Sequence, residues 1–217
     1  MALELNGTTG VSLVQDGVVT AADLASTLDL SGKTVTLANT ASAMVLLQEG
    51  AASATEVSSI DIPLDVSGDY FAFRLILPAL HVVNNGQDLY ARVRDASTGS
   101  YKTAGTAYTW SVVERNAANQ AGTQSNSDDH FRLCWYSWAN ASAEAGATEM
   151  IIMNNADASQ KTSFTGQYSG QDNAGDAKMT SFGGMCNSAT QDDYFRLYAA
   201  GGNIVIKGGY KLYGYLA

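Results

Sequence analysis

From about residue 41 onward, apolar and polar positions alternate in short runs, each closed by Gly, Asn, Asp or Ser. No run keeps a helical period for three turns. The stretches "SAMVLLQE", "ATEVSSIDIPLDV", "DYFAFRLILPALHVV", "QDLYARVRD", "TAYTWSVVER", "DHFRLCWYSW", "TEMIIMNN", "KTSFTGQYSG", "AKMTSFGGMC", "DYFRLYA" and "NIVIKGGYKLYGYLA" all read as strands or strand pairs. About ten strands joined by small polar turns predict an all-β fold, a jelly-roll-like β-sandwich. Asn84-Asn85-Gly86 between two alternating runs predicts a tight hairpin, because both central residues of such a turn need positive φ. The segments 96–105, 116–127 and 139–147, built of Ala, Ser, Gly, Asn, Gln and Thr, are predicted as loops.

Residues 1–40 carry a different pattern. Two apolar strips (Val11–Val14 and Val18–Val19) precede a helical turn or two, with Thr20 as cap and Asp23 three residues on. No aromatic residue occurs before Tyr70, so this stretch cannot close a core alone. It is expected to be an extended N-terminal arm (1–40) attached to a sandwich head (41–217).

One pattern recurs. "DDHFRL" stands at 128–133, "DDYFRL" at 192–197 and the looser "GDYFAFRL" at 68–75. In a strand alternate residues face opposite sides. Phe73 and Leu75, Phe131 and Leu133, and Phe195 and Leu197 are therefore predicted to face the core. Arg74, Arg132 and Arg196 are placed on the other face, toward solvent or a second subunit. The acids before each copy suit turns, where Asp bonds its own backbone two residues on.

Composition narrows the function classes. Twelve basic residues against 21 acidic ones give a net charge of −9, and the basic residues occur singly. This balance disfavours nucleic acid and an anionic membrane, both of which are bound through clustered cations. No apolar run approaches the ~18 residues of a membrane span, and "MALELNGTTG" lacks the charged and apolar regions of a secretory signal. Cys134 and Cys186 are expected to stay buried thiols.

The two His residues, His81 and His130, fit no metal-ligand spacing. Asp128-Asp129-His130 reads as a turn, and neighbouring strand residues would point apart. No nucleophile elbow or phosphate-binding glycine loop appears. The chain is therefore read as a non-enzyme with no metal and no cofactor. Tyr136 and Trp138, in "LCWYSWANAS", are aromatic side chains that suit the core or a subunit interface and, as the alternative, contact with a glycan or receptor.

Three stretches, "NGTTGVSLVQDGVVTAADLASTLDLSGKTVTL", "SSIDIPLDVSGDYFAFRL" and "DDYFRLYAAGGNIVIKGGYKLYGYLA", resemble virion fibre proteins of tailed bacteriophages, particularly marine ones. The closing Leu212-Tyr213-Gly214 matches the usual ending of that family. This chain continues with Tyr215-Leu216-Ala217, so a longer last strand is expected. The resemblance implies a virion surface protein made in the host cytoplasm, with a short N-terminal segment docked on other virion proteins and a jelly-roll head, commonly trimeric. Val11, Leu13, Val14, Val18, Leu24 and Leu28 would then supply the anchoring contacts. Arg74, Arg132 and Arg196 would supply the subunit-contact face. With no shaft, collagen-like repeat or heptads, a tail fibre and a capsid fibre or decoration protein both stay open. Its alternatives are a stand-alone carbohydrate-binding module and, less favoured, a polysaccharide-modifying enzyme.

Overall fold

The structure, a computed structural model, describes residues 44–116, 120–138, 145–171 and 175–217, with the side chains of 135–138 outside that set. These residues belong to a compact unit spanning Thr40–Ala217. The anchoring residues Val11, Leu13, Val14, Val18, Leu24 and Leu28 lie outside the described residues.

Fourteen strands and no helix occur among the described residues. They are β1 (Met44–Gly50), β2 (Ile60–Pro63), β3 (Tyr70–Val82), β4 (Gln87–Asp95), β5 (Ser100–Tyr101), β6 (Tyr108–Asn116) and β7 (Gln120–Asp128). There follow β8 (Phe131–Trp138), β9 (Gly146–Met153), β10 (Lys161–Gln171), β11 (Ala177–Ala189), β12 (Asp192–Ala199), β13 (Ile204–Ile206) and β14 (Tyr210–Leu216). They build two antiparallel sheets packed as a β-sandwich. The large sheet runs β1-β14-β3-β9-β10-β11-β6-β7, with β13 beside β3; the small one runs β2-β12-β4-β5, with β8 also on β4. β14 includes Tyr215 and Leu216, so the last strand does extend past Leu212-Tyr213-Gly214.

The predicted parity of the repeated tripeptide holds. Phe73, Leu75, Phe131, Leu133, Phe195 and Leu197 are all buried between the sheets. Phe131 and Phe195 from the small sheet meet Phe164 of the large one, at ring separations of 4.9 and 5.9 Å. Phe182 of β11 closes edge-on against Phe131. Gly184 makes this contact possible: a Cβ there would lie 2.3 Å from the Thr109 carbonyl oxygen and 2.5 Å from the Phe131 ring. The second glycine of "FGGM" thus serves close packing.

Tyr108, fully buried, fills a gap in the small sheet. β4 is flanked by β8 along Gln87–Ala91 and by β5 at Arg94–Asp95. Between them the Val93 N–H would lack a ladder partner, and it donates to the Tyr108 hydroxyl across the sandwich at 2.9 Å.

Three expectations change. Asn84-Asn85-Gly86 does not close a hairpin: β3 belongs to the large sheet and β4 to the small one, so the turn is a corner between layers. Only Gly86 of the three takes a positive φ (70°). Second, 116–127 is not simply a loop, since β7 begins at Gln120. β7 has no buried residue and sits at the sheet edge, so backbone pairing to β6 defines it without any apolar alternation. The loop 96–105 likewise contains β5. Third, the single subunit-contact face expected of Arg74, Arg132 and Arg196 is divided, because β8 and β12 lie in the small sheet and β3 in the large one. Both cysteines are buried and free.

Phe131→Ala and Phe195→Ala are each expected to lower unfolding free energy by about 3–5 kcal/mol, read from urea midpoints at constant slope. Because both rings contact Phe164, the double variant should lose measurably less than the sum.

Candidate functional site

The outer face of the small sheet gathers the polar residues that the sequence singled out. On β4, Leu89, Ala91 and Val93 turn inward, and Tyr90, Arg92 and Arg94 turn outward. β12 turns Tyr194, Arg196 and Tyr198 outward, β2 turns Asp61, and β8 turns Arg132. β4 lies between β12 and β8, antiparallel to both.

This arrangement explains the repeated hexapeptide. Phe131 is the register partner of Ala91, and Phe195 that of Val93. Asp129, two residues before Phe131, pairs with Arg92, the residue after Ala91. Asp193, two residues before Phe195, pairs with Arg94, the residue after Val93. The two copies therefore grip the arginines of β4 from opposite sides by the same relation. The third copy takes no part: Arg74, on the outer face of the large sheet, pairs with Glu149 at 2.8 Å.

Four guanidiniums on the small sheet are each held by a carboxylate and stacked on a ring. Arg94 meets Asp193 through two bonds of 2.8 and 2.6 Å and lies 3.8 Å from the Tyr194 ring centre. Arg196 meets Asp61 through two bonds of 2.6 Å and lies 3.8 Å from that of Tyr101. Arg92 reaches the Asp129 carboxylate and backbone carbonyl and covers Tyr198. Arg132 pairs with Asp88 at 3.3 Å between the rings of Trp110 and Tyr90. Arg92 and Arg196 are direct cross-strand partners, and their like charges are accommodated because the two carboxylates lie on opposite sides.

Asp128, Asp129 and His130 come together, contrary to the expectation that neighbours point apart. Asp128 ends β7 and the next two residues form a turn, so strand alternation does not apply. Their donor atoms lie within 4.8 Å of one another. His130 Nδ1 stands 2.6 Å from Asp129 and 3.1 Å from Asp128, and its ring stacks on Tyr90. The Trp110 N–H, the Asp129 N–H and Arg92 also donate to these carboxylates. The cluster is thus a hydrogen-bond knot in which every oxygen of the two carboxylates has a partner, while His130 Nε2 is buried with none among the described residues.

Asp192, the other acid of "DDYFRL", is fully buried and works separately. It accepts from Lys102 Nζ at 2.6 Å and from the Thr162 hydroxyl at 2.6 Å. Lys102 also donates to Cys186 Sγ at 3.3 Å. Burial pushes the Asp192 carboxyl up, against the pull of Lys102 and Thr162. The backbone N–H of Asp192 donates to the Asn155 carbonyl, and the Asn155 amide donates back to the Asp192 carbonyl.

Arg74, Arg132 and Arg196 therefore occupy two different outer faces, and each has an intramolecular carboxylate partner. One flat subunit interface would not use all three. Tyr136 and Trp138 lie on β8, where Trp138 pairs with Gln87 through the backbone, and their side chains are outside the described set. Sequence reasoning passed over Arg92, Arg94 and Asp61, although "YARVRD" and "SIDIP" carry the same alternation as Phe-Arg-Leu.

The Arg196 hydrogen bonds hold the Asp61 carboxyl below its ordinary pKa. Its contribution to stability is present above about pH 4 and is lost as pH falls through that lowered value. Wild type should therefore lose about 0.5 kcal/mol more stability than Asp61→Asn between about pH 6 and pH 3, a small figure because solvent screens a half-buried pair. Urea midpoints at the two pH values measure it. Asp192→Ala should cost about 3–5 kcal/mol, since it strands Lys102 inside the fold; thermal unfolding checks this.

Among the described residues no helix is long and apolar enough to cross a membrane. Set against known proteins, the chain matches no family model, no curated protein and no solved structure.

Proposed function

We propose that the protein is a structural component of a virion surface, a tail fibre, capsid fibre or decoration protein. In this reading it assembles with copies of itself and displays its β-sandwich outward. Strand order is the observation that carries the proposal. β2-β12-β4-β8 faces β3-β9-β6-β7, with the β10–β11 hairpin interposed between β9 and β6. We read that pairing as a jelly roll enlarged by one hairpin, an architecture common to viral capsid and lectin domains. Fold alone does not assign function; the likeness of the N- and C-terminal stretches to phage fibre proteins supplies the virion context.

The clustered charges support a non-catalytic role. The four arginines of the small sheet, Asp192 and the Asp128–His130 knot are bound into pairs that hold strands together. Self-association has apolar surface to use. Val113, Met179 and Met185 are exposed on the large sheet, and Met44, Val45 and Leu46 are exposed on its edge strand β1. Several linked heads would raise avidity for a weakly bound host surface without new contacts. Residues 1–40 dock the protein on the particle.

Light scattering on a sizing column should give a mass three times the 22.8 kDa of the chain. A 22.8 kDa species at all concentrations would remove the self-assembly part and favour a stand-alone lectin. Deleting residues 1–40 should abolish incorporation into particles while leaving the sandwich folded; particles that still incorporate the shortened chain would overturn the docking role.

A further inference from the structure

The most exposed large apolar side chain among the described residues is Phe71, at 58%. It stands near the start of β3, and its ring lies 5.8 Å from that of Tyr215, tilted by 36°. Phe71, with Tyr70 before it, lines a cleft of about 440 Å³, within the roughly 300–1,000 Å³ typical of small-ligand sites. Gly68, Phe71, Asn154, Asp157, Ala158 and Ala217 form much of its lining, and no basic side chain takes part.

The turn opposite Phe71 is built rather than loose. Asn154 takes φ 62°, the left-handed conformation that non-glycine residues seldom hold. Its neighbour Asn155 is buried and donates to the carbonyls of Asp65 and Asp192 at 2.9 and 3.1 Å. That anchor ties the turn to the same Asp192 on which Lys102 closes. The backbone N–H and hydroxyl of Ser159 donate to Asp157 Oδ1 at 2.8 and 2.7 Å. These bonds fix the carboxylate and leave Oδ2 to accept from a ligand.

A rigid cleft with an open aromatic face on one side and amide and carboxylate groups on the other fits a pyranose. Such a sugar offers an apolar C–H face for the ring and hydroxyls for the polar rim. The carboxylate and the lack of cations select against acidic sugars and phosphates. We propose that this cleft binds a neutral hexopyranose, stacked on Phe71 and hydrogen-bonded by Asn154 and Asp157. The inference rests on the display reading only for its biological setting, since it names what the displayed head would hold.

The test uses the full-length protein and the methyl glycosides of glucose, galactose, mannose and N-acetylglucosamine, followed by saturation-transfer NMR with titration. At least one glycoside should receive transfer at its ring C–H protons. Phe71→Ala should weaken binding about tenfold or more, while Phe71→Tyr retains it. Asp157→Asn should weaken it with no change in thermal midpoint. No transfer to any of the four glycosides overturns the proposal, as does binding that Phe71→Ala leaves intact. A change of solution mass in Phe71→Ala without loss of sugar binding would make Phe71 a subunit contact and likewise overturn it. A trimer that binds no glycoside removes the cleft and leaves the display reading standing. A monomer whose sugar binding needs Phe71 does the reverse.

Discussion

Carboxylates reaching β4 from both neighbours fix how the small sheet is assembled. Asp129 and Asp193 enter from opposite edges and take Arg92 and Arg94, so β8 and β12 are both set against the same central strand. Each such pair is worth little by itself, about 0.2–1 kcal/mol for an exposed ion pair, with a similar gain from stacking on a ring. A buried phenylalanine is worth several times more. The aromatic core therefore supplies most of the stability, and the charged clamps choose among alignments. That choice matters because a slip of one residue would turn Phe131, Leu133, Phe195 and Leu197 out to solvent.

Much of this was legible in the chain. Alternation around Phe-Arg-Leu identified the buried positions of three strands, because a period of two needs no knowledge of partners. What failed were features decided by partners. Asn84-Asn85-Gly86 has the composition of a hairpin turn, yet the sandwich carries the chain to the other layer there, and layer choice is a long-range property. β7 has no apolar signal because both its faces stay in contact with solvent; only the free edge of β6 makes it a strand. Asp128 and Asp129 read as turn formers, yet Asp128 ends β7, and the partners of the two carboxylates, Trp110 and Arg92, lie far away in sequence. The Phe71 cleft joins residues 71, 157 and 217, and no local pattern could announce it.

The two acids of "DDYFRL" show how adjacent residues can serve opposed ends. Asp193 faces outward and balances an arginine in partial contact with water. Asp192 faces inward and is satisfied by Lys102, two threonines and the backbone of Asn155. The inner acid joins β12 to the segment after β5 and to the turn between β9 and β10. A single dipeptide thus locks one strand both laterally and through the thickness of the sandwich.

The placement of β14 has a consequence for how the protein is made. This strand, residues 210–216, lies between β1 and β3 in the large sheet. A ribosome delivers β1 and β3 more than a hundred residues before the strand that separates them. Until then both present open backbone edges, and β1 adds an apolar surface of Met44, Val45 and Leu46. Closure of the large sheet must wait for the late arrival, which makes folding slow and the nascent chain prone to stray strand pairing. Synthesis at low temperature or alongside a chaperone would then raise the yield of soluble protein more than any change to the finished core.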